Sequence, residues 1–286
     1  MRLCRRPRPT DSSPLPSLNM PYFSRCLRLA LAIFCATPCA VQAEIEFGSL
    51  ELISSDADTS PVPRGLVPGV VLTTYQGRFI GQGTSAFPIP GAIYLGQEFM
   101  YLGDRARYYF HRDDRLALFA YGRVRFGNLD PEKTPELQGM IKRKWEFEAG
   151  VGGNLITPFG LFTARVASDV TGTSKGQEVL LWVDFPLVLD RFLVMPGAGV
   201  LWRSSKLSNY YFGGVSAVES TPTRPVYDTG ATLAKSLSLI TTYRFSRNWI
   251  GTLSLAYEHY DQSIANSPIV QHKGELFGLL GVGYQW

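Results

Sequence analysis

Apolar and polar residues alternate with a period of two along most of the chain, in segments about as long as a β-strand. Successive side chains of an extended strand point to opposite faces, so each segment predicts a strand with one apolar face. Very short connections alternate with much longer polar ones. This order is typical of antiparallel strands joined to their neighbours as hairpins.

The clearest hairpin covers residues 235–260 and turns at 246–248. Its aromatic residues gather beside that short turn, at Tyr243, Phe245 and Trp249. Such clustering is typical of the aromatic girdle that transmembrane β-barrels place at a membrane interface. The short turns are therefore predicted to lie on the periplasmic side.

The last segment of the chain has one apolar face, formed by Leu276, Leu280, Val282, Tyr284 and Trp286. In a soluble sheet this row would face a core, whereas in a transmembrane barrel it would face lipid and end at an interfacial aromatic. We interpret Leu280, Val282, Tyr284 and Trp286 as a C-terminal barrel signal. We expect removal of Trp286 to impair membrane insertion more than folding stability.

Together the segments predict an all-β fold, a transmembrane antiparallel up-and-down β-barrel of about ten strands with short periplasmic turns and long outer loops. The predicted strands are 66–75, 89–111, 116–126, 144–155, 160–169, 178–188, 192–203, 235–245, 249–260 and 274–286. The second is too long for one crossing, and 96–98 or 103–104 is a candidate turn or bulge within it. Twelve strands is the alternative, if that segment contains a further hairpin or if 44–52 is a strand. The long outer loops are predicted at 76–86, 127–143, 171–177, 203–233 and 261–272.

Charged residues of the predicted strands fall on the face opposite the lipid-facing row. They include Arg123, Arg125, Glu146, Glu148, Arg165, Asp184, Arg244, Glu258 and Glu275. A basic residue facing the bilayer midplane costs about 2–4 kcal/mol, so this placement supports a barrel. The mixed signs favour a salt-bridged interior that fills a small barrel, with a narrow selective pore as the alternative.

Residues 20–43 have the organisation of a secretory signal peptide. Arg25 and Arg28 accompany a short apolar run, and small residues precede a cleavage site predicted between Ala43 and Glu44. The run is about half as long as a membrane-spanning helix, so it predicts a cleaved leader and not an anchor.

Met20 is the expected translation start, because the segment before it is rich in Pro and Arg. The predicted parts are 1–43, an upstream extension and leader; 44–64, an N-terminal segment; and 65–286, the barrel. Residues 1–43 hold six of the 28 basic residues and one of the 24 acidic ones, which leaves 22 against 23 and a net charge of −1. All four cysteines also precede the cleavage site. Nucleic-acid binding, disulfides and thiolate metal sites are therefore not expected.

No arrangement in the sequence is typical of a catalytic, metal or cofactor site. His259, with Glu258 and Asp261, is the one candidate for acid–base chemistry, and a polar rim is the simpler interpretation. No glycine-rich loop leads from a strand into a helix to bind phosphate. We predict a non-enzymatic protein without metal or cofactor.

The longest predicted loop carries the most distinctive motif. It contains Asn209, Tyr210, Tyr211, Gly214, Val215, Ser216, Glu219, Tyr227 and Asp228. Aromatic residues beside glycines can fold over a barrel mouth as a lid or present a surface to a ligand. In the order and spacing of these residues the chain resembles the MipA/OmpV family of outer-membrane proteins, from about residue 65 to the end. The doubled glycine after Phe212 departs from the family's single aromatic–glycine step.

The resemblance implies a Gram-negative outer-membrane location and a scaffolding role in peptidoglycan turnover. In that role the barrel would hold a lytic transglycosylase near a bifunctional penicillin-binding protein. Two classes of function stand at this point: an interaction protein that docks partners, and a narrow solute channel. Surface adhesion through the tyrosine-rich loop is a third.

Overall fold

The computed structural model describes residues 49–53 and 59–286. The predicted cleavage site at Ala43 and Glu44 lies outside the described residues. Within them, no helix is both long and apolar enough to cross a membrane.

Antiparallel strands form one closed barrel in which every strand pairs with the next along the chain. The twelve strands are β1 Gly65–Gln76, β2 Thr84–Leu95, β3 Phe99–Tyr101, β4 Arg105–Arg112, β5 Leu116–Arg125, β6 Glu146–Thr157, β7 Gly160–Asp169, β8 Gln177–Asp184 continued by Leu187–Leu189, β9 Phe192–Arg203, β10 Thr232–Arg244, β11 Trp249–His259 and β12 Gly274–Tyr284. The helical segments are α1 Leu50–Ile53, α2 Ser205–Ser208 and α3 Gln262–Ala265, the 3₁₀ turns Pro135–Leu137 and Ala217–Glu219, and the π-helical turn Asn209–Gly213. The barrel closes because β12 also pairs with β1.

The predicted up-and-down antiparallel barrel is confirmed, and the strand count is the alternative of twelve. The single strand predicted over 89–111 is instead β2, β3 and β4, with turns at both places proposed as interruptions. β2 starts at Thr84, whereas the predicted start was 89. The prediction missed residues 84–88 because Pro88 and Pro90 weaken the strand pattern, although β1 pairs with this segment along its whole length. The helix Leu50–Ile53 overlaps the end of 44–52, the segment considered as an extra strand, whose residues 44–48 lie outside the described residues.

The alternation of side chains around the wall is clearest in β10. Its small and hydroxyl-bearing residues, such as Ala234, Ser236 and Ser238, are buried inside, while Leu233 and Leu237 are exposed on the outer face. An apolar outer face suits the hydrocarbon of a bilayer, and closure of the sheet satisfies most backbone hydrogen bonds within it.

Aromatic side chains ring the end of the barrel that carries the short turns. The Tyr284 ring contacts those of Trp249 and Trp286, with centroids 5.2 and 5.6 Å apart, and Tyr243 contacts Phe245 at 5.1 Å. Such a girdle marks a membrane interface, and the short turns assign this end to the periplasm.

The N-terminal segment folds into the periplasmic half of the lumen. Leu50 and Val62 pack against inward-facing residues of the wall, including Leu95 and Leu193. The Glu51 carboxylate accepts hydrogen bonds from the Arg107 guanidinium at 3.0 Å and from the Tyr109 hydroxyl. Further along, the Pro61 carbonyl accepts a 2.9 Å hydrogen bond from Thr242, so this segment plugs the barrel from below.

The opposite end of the lumen is covered by the long loops. Their apolar side chains form one buried cluster: Phe79, Leu129, Leu137, Met140, Leu207, Tyr211, Phe212, Val215, Tyr260, Ile264, Ile269 and Val270. We call the loop segments that carry this cluster the outer cap. The cap and the plug leave between them a layer of charged side chains.

Candidate functional site: a capped, charge-filled lumen

The centre of the charged layer is Glu178, at the outer end of β8. Its carboxylate contacts four guanidinium groups, those of Arg165 at 2.7 Å, Arg125 at 2.9 Å, Arg203 at 3.3 Å and Arg123 at 3.4 Å. All five side chains are at most 3% exposed. A buried charge is tolerable only when it is paired and hydrogen-bonded, so these groups require one another.

Two further carboxylates extend this network around the wall. Glu148 accepts hydrogen bonds from Arg123 at 2.7 Å and from Arg125 at 2.8 Å. Glu258 accepts two from Arg203, at 2.7 and 2.9 Å. Because the network joins β5, β6, β7, β8, β9 and β11, we call it the ionic wall.

The charged residues predicted to face the lumen are all buried inside the barrel. Three buried residues of the charged layer were not predicted to face the lumen, namely Arg78, Glu178 and Arg203. Arg203 and Glu178 stand at strand ends and Arg78 follows β1, so alternation within a strand was too weak a signal there. An excess of arginines over acids among the predicted inward residues near Arg123 could have indicated a missing carboxylate.

Phe212 joins the outer cap to the charged layer. Its ring lies between two guanidinium groups, with the Arg203 carbon 4.1 Å and the Arg78 carbon 4.2 Å from the ring centroid. Arg78 is held by the Tyr260 hydroxyl at 2.9 Å and by the Glu275 carboxylate at 2.7 Å. Two desolvated cation–π contacts therefore attach the outer cap to Arg78 and Arg203 of the charged layer.

The family-type loop residues fold the cap. Asn209 donates to the Asp228 carboxylate at 2.6 Å, and its side-chain oxygen accepts from the Thr229 N–H at 2.9 Å. The Gly214 N–H bonds the Asn209 carbonyl at 3.1 Å, and a Cβ at Gly214 would lie 2.6 Å from that oxygen. Asn209 is thus the point where the two ends of the loop meet, and glycine is required opposite it.

Glu219 fixes the loop to the β5–β6 connection. It accepts hydrogen bonds from the Arg143 guanidinium at 2.7 Å, the Ser216 hydroxyl at 2.6 Å and the Ile141 N–H at 2.9 Å. Burial acts to raise the pKa of the Glu219 carboxyl, but these hydrogen bonds prevail and lower its pKa to about 2. The carboxylate therefore stays charged throughout the physiological range.

The motif's tyrosines make contacts within the cap. Tyr211 is buried and donates to the Lys144 carbonyl at 2.7 Å, while the Tyr210 hydroxyl accepts from the Lys144 N–H at 3.0 Å. Tyr227 pairs with Val215 as a small antiparallel bridge and donates to the Ser263 carbonyl at 2.6 Å. The loop is thus folded as a lid, with its aromatic side chains turned towards the barrel.

The first glycine of the doubled pair packs against the β11–β12 connection. The Gly213 carbonyl accepts a 2.6 Å hydrogen bond from Ser267, and a Cβ at Gly213 would lie 2.9 Å from the Ser267 Cβ. The departure from the family spacing thus occurs where the loop contacts Ser267 of the β11–β12 connection.

The residues considered for acid–base chemistry do not converge. Glu258 points into the lumen towards Arg203, whereas His259 is exposed on the opposite face of the same strand. Asp261 caps α3 by accepting from the Ser263 N–H. Within residues 49–53 and 59–286, no cluster of three or more His, Cys, Asp or Glu side chains could hold a metal ion.

The C-terminal residues close the barrel at the periplasmic rim. Leu280 and Val282 are exposed on the outer face of β12, and Tyr284 is its last residue. Trp286 lies beyond the strand and is 77% exposed. Its proposed role in recognition during membrane insertion remains a prediction.

A closed barrel with an apolar outer face, an aromatic girdle and a charged interior defines an outer-membrane β-barrel protein. Residues 65–286 match the family model described as MltA-interacting protein MipA, and the chain belongs to that family. The outer membrane is therefore its location.

Curated relatives are named as an MltA-interacting protein or as outer membrane proteins. The chain is 26% identical over 204 residues to the MltA-interacting protein of Escherichia coli, covering 70% of this chain and 81% of that protein. It is 28% identical to the outer membrane protein Omp26La of Vibrio anguillarum, covering 50% of this chain. The chain spans about half the length of that relative, 55%. Among solved structures, the NanC porin aligns with a TM-score of 0.41 and 10% identity, covering 77% of this chain and all of the porin.

Proposed function

We propose that this barrel is a non-enzymatic interaction protein, closed along its axis, that docks a lytic transglycosylase of the MltA type at its periplasmic end. The observation that carries the proposal is the filling of the lumen at three successive levels, by the plug, the ionic wall and the outer cap. A barrel filled in this way is suited to presenting surfaces and not to conducting solutes. The partner class is taken from the name of the E. coli relative.

The periplasmic rim offers an exposed surface for such a partner. Phe159 in the β6–β7 turn is 81% exposed, and Leu187 and Leu189 nearby along the rim are 58% and 65% exposed. Exposed aromatic and apolar side chains are frequent anchors of protein interfaces. We assign docking of the lytic transglycosylase to this patch. The second partner, a bifunctional penicillin-binding protein, would then bind to the docked transglycosylase.

Binding of purified lytic transglycosylase to the refolded barrel tests the proposal. Phe159→Ser should weaken binding about tenfold or more, as the loss of an aromatic anchor does. Val218→Ser is the matched control, because Val218 is equally exposed, at 81%, but lies in the outer cap. Equal binding by both variants, or no binding by the wild type, would refute the docking assignment.

A further inference from the structure

The barrel wall is incomplete beside β2. Of its twelve residues, only Tyr94 and Leu95 pair with β3, whereas all twelve pair with β1. β3 has three residues, and the chain turns back at 102–104 into β4. Across the part of the chain that the structure describes, residues 84–93 of β2 therefore have no strand partner on this side. We call the gap in the wall beside them the side window.

The side window is framed by neighbouring segments. On its periplasmic side stands the β3–β4 turn, whose Asp104 carbonyl accepts a hydrogen bond from the Val124 N–H of β5. At the outer rim the β5–β6 loop approaches the β1–β2 loop, where Gln82 donates to the Asn128 carbonyl at 2.7 Å. The gap therefore lies in the outer half of the wall, below the loops.

Two prolines protect the open edge of β2. The Gly77 N–H bonds the Gly83 carbonyl, and hydrogen-bonded pairs alternate along an antiparallel ladder, so odd-numbered residues of β2 bond β1. The even-numbered residues turn their backbone groups to the window, and Pro88 and Pro90 are among them. Without an N–H at these two positions, the edge cannot accept another strand, which argues against a second copy of the chain as its occupant.

The inner wall behind the window is apolar and accessible. The inward side chains Phe87, Ile89 and Ile93 are only partly buried, and Gly91 is exposed with no atom within 4 Å of where its Cβ would be. Inward residues of β10 are buried along the whole strand. The inner face of β2 is thus apolar and accessible where that of β10 is filled.

We infer that the side window admits the hydrocarbon chain of an amphiphile from the outer leaflet onto the apolar inner wall behind β2. The gap faces the bilayer, so hydrocarbon is the medium at its mouth. The open edge presents carbonyl groups of Thr84, Ala86, Pro88, Pro90 and Ala92 but N–H groups of only the three that are not proline. Such an acceptor-rich edge favours a polar head that carries hydroxyl, amine or amide protons.

Single cysteines in proteoliposomes test this assignment, with the four cysteines of residues 1–43 replaced by serine. Ile89→Cys places a thiol behind the window, Ala86→Cys places one on the lipid face, and Ser238→Cys places one on the buried inner face of β10. The reagent is hexadecyl methanethiosulfonate dissolved in the bilayer. Ile89→Cys should react within about tenfold of Ala86→Cys, and Ser238→Cys about 100-fold more slowly, because it reacts only on local opening.

Filling the space behind the window supplies the second variant. Gly91→Trp should slow the reaction of Ile89→Cys about tenfold or more without changing that of Ala86→Cys, because the ring occupies the open space. Heat-modifiable gel migration confirms that each variant is folded. Reaction of Ile89→Cys at the Ser238→Cys rate, or reaction only with a charged, water-borne methanethiosulfonate, would overturn the inference.

Protection by detergents of equal chain length tests the polar head. Dodecyl maltoside, which carries hydroxyl donors, should protect Ile89→Cys more strongly than dodecyltrimethylammonium, which carries no donor. Equal protection by both at matched bilayer concentrations would overturn the assignment of a donor-bearing head.

Discussion

The two sides of the barrel interior differ in chemistry and in packing. The ionic wall packs arginines and glutamates so tightly that its side chains are almost wholly buried, whereas the inner faces of β12, β1 and β2, which we call the apolar wall, leave Val71, Phe87 and Leu279 partly accessible. Tight ionic packing ties strands together across the lumen and rests on mutual charge compensation. Apart from Glu275 at its outer end, which pairs with Arg78, the apolar wall carries inward side chains that need no charge compensation, so it can tolerate open space. The ionic wall therefore fills its side of the lumen, whereas the apolar wall leaves open space on the other side.

Removing the central carboxylate should produce the largest effect. Glu178→Ala would leave four guanidinium groups without their shared partner, and breaking a buried ion pair from one side costs about 3–5 kcal/mol. Urea unfolding of the refolded barrel, followed by tryptophan fluorescence, measures the loss. Glu132→Ala is the control, since Glu132 is a largely exposed acid of the β5–β6 loop and should change stability by less than about 0.5 kcal/mol. A loss below about 1 kcal/mol for Glu178→Ala would contradict the role of the ionic wall.

Adding bulk should separate the two walls next. Ser238→Trp on the inner face of β10 should lower the free energy of unfolding by about 1–3 kcal/mol through overpacking. Gly91→Trp on the apolar wall should be nearly neutral, because no atom lies within 4 Å of a Cβ there. The same urea titration compares them, and equal losses would show that both walls are equally filled.

Replacing the aromatic ring of the cap should cost less. Phe212→Leu keeps most of the apolar volume but loses two cation–π contacts, for an expected loss of about 1–2 kcal/mol. Phe79→Leu alters a buried phenylalanine of the same cluster and is the matched control. Protease cleavage within residues 203–233 should accelerate more in the first variant, and a larger effect of Phe79→Leu would go against the proposed clamp.

Acid should loosen the cap through Glu219. Because its pKa is lowered from 4.5 to about 2 in the folded protein, its contribution is present above pH 4.5 and is lost as the pH falls towards 2. Glu219→Gln should speed cleavage of the loop about tenfold at pH 7, as expected for the loss of a charge-assisted hydrogen bond, and should flatten the acid response. A wild-type cleavage rate that is constant from pH 5 to pH 2 would contradict this account.

The sequence predicted the two walls unequally. In β5 and β6, charged residues alternate strictly with apolar ones, so Arg123, Arg125 and Glu148 could be placed inside from periodicity alone. β2 was predicted poorly because its prolines and Gly91 belong to an edge strand, and an edge depends on the neighbour that is missing.

Contacts between distant segments explain the remaining misses. The fold of Leu50–Ile53 in the lumen depends on Arg107, which lies 56 positions further along the chain than Glu51. Phe212 could be recognised as part of an aromatic motif, but its position between Arg78 and Arg203 depends on three separate segments. Periodicity reports the surroundings of a strand residue and gives no information about such assemblies.

Planar-bilayer recording of the wild-type barrel tests the central claim, that the lumen is closed along its axis. Folding of the same preparation is established by heat-modifiable migration, and its insertion by protection of the strands from protease in proteoliposomes. We predict no steady conductance steps in symmetric 1 M KCl at any voltage up to about 150 mV, because plug, ionic wall and outer cap occupy successive levels of a barrel of filled type. Reproducible steps of uniform size from the folded wild-type protein would contradict the account and restore the channel as its function.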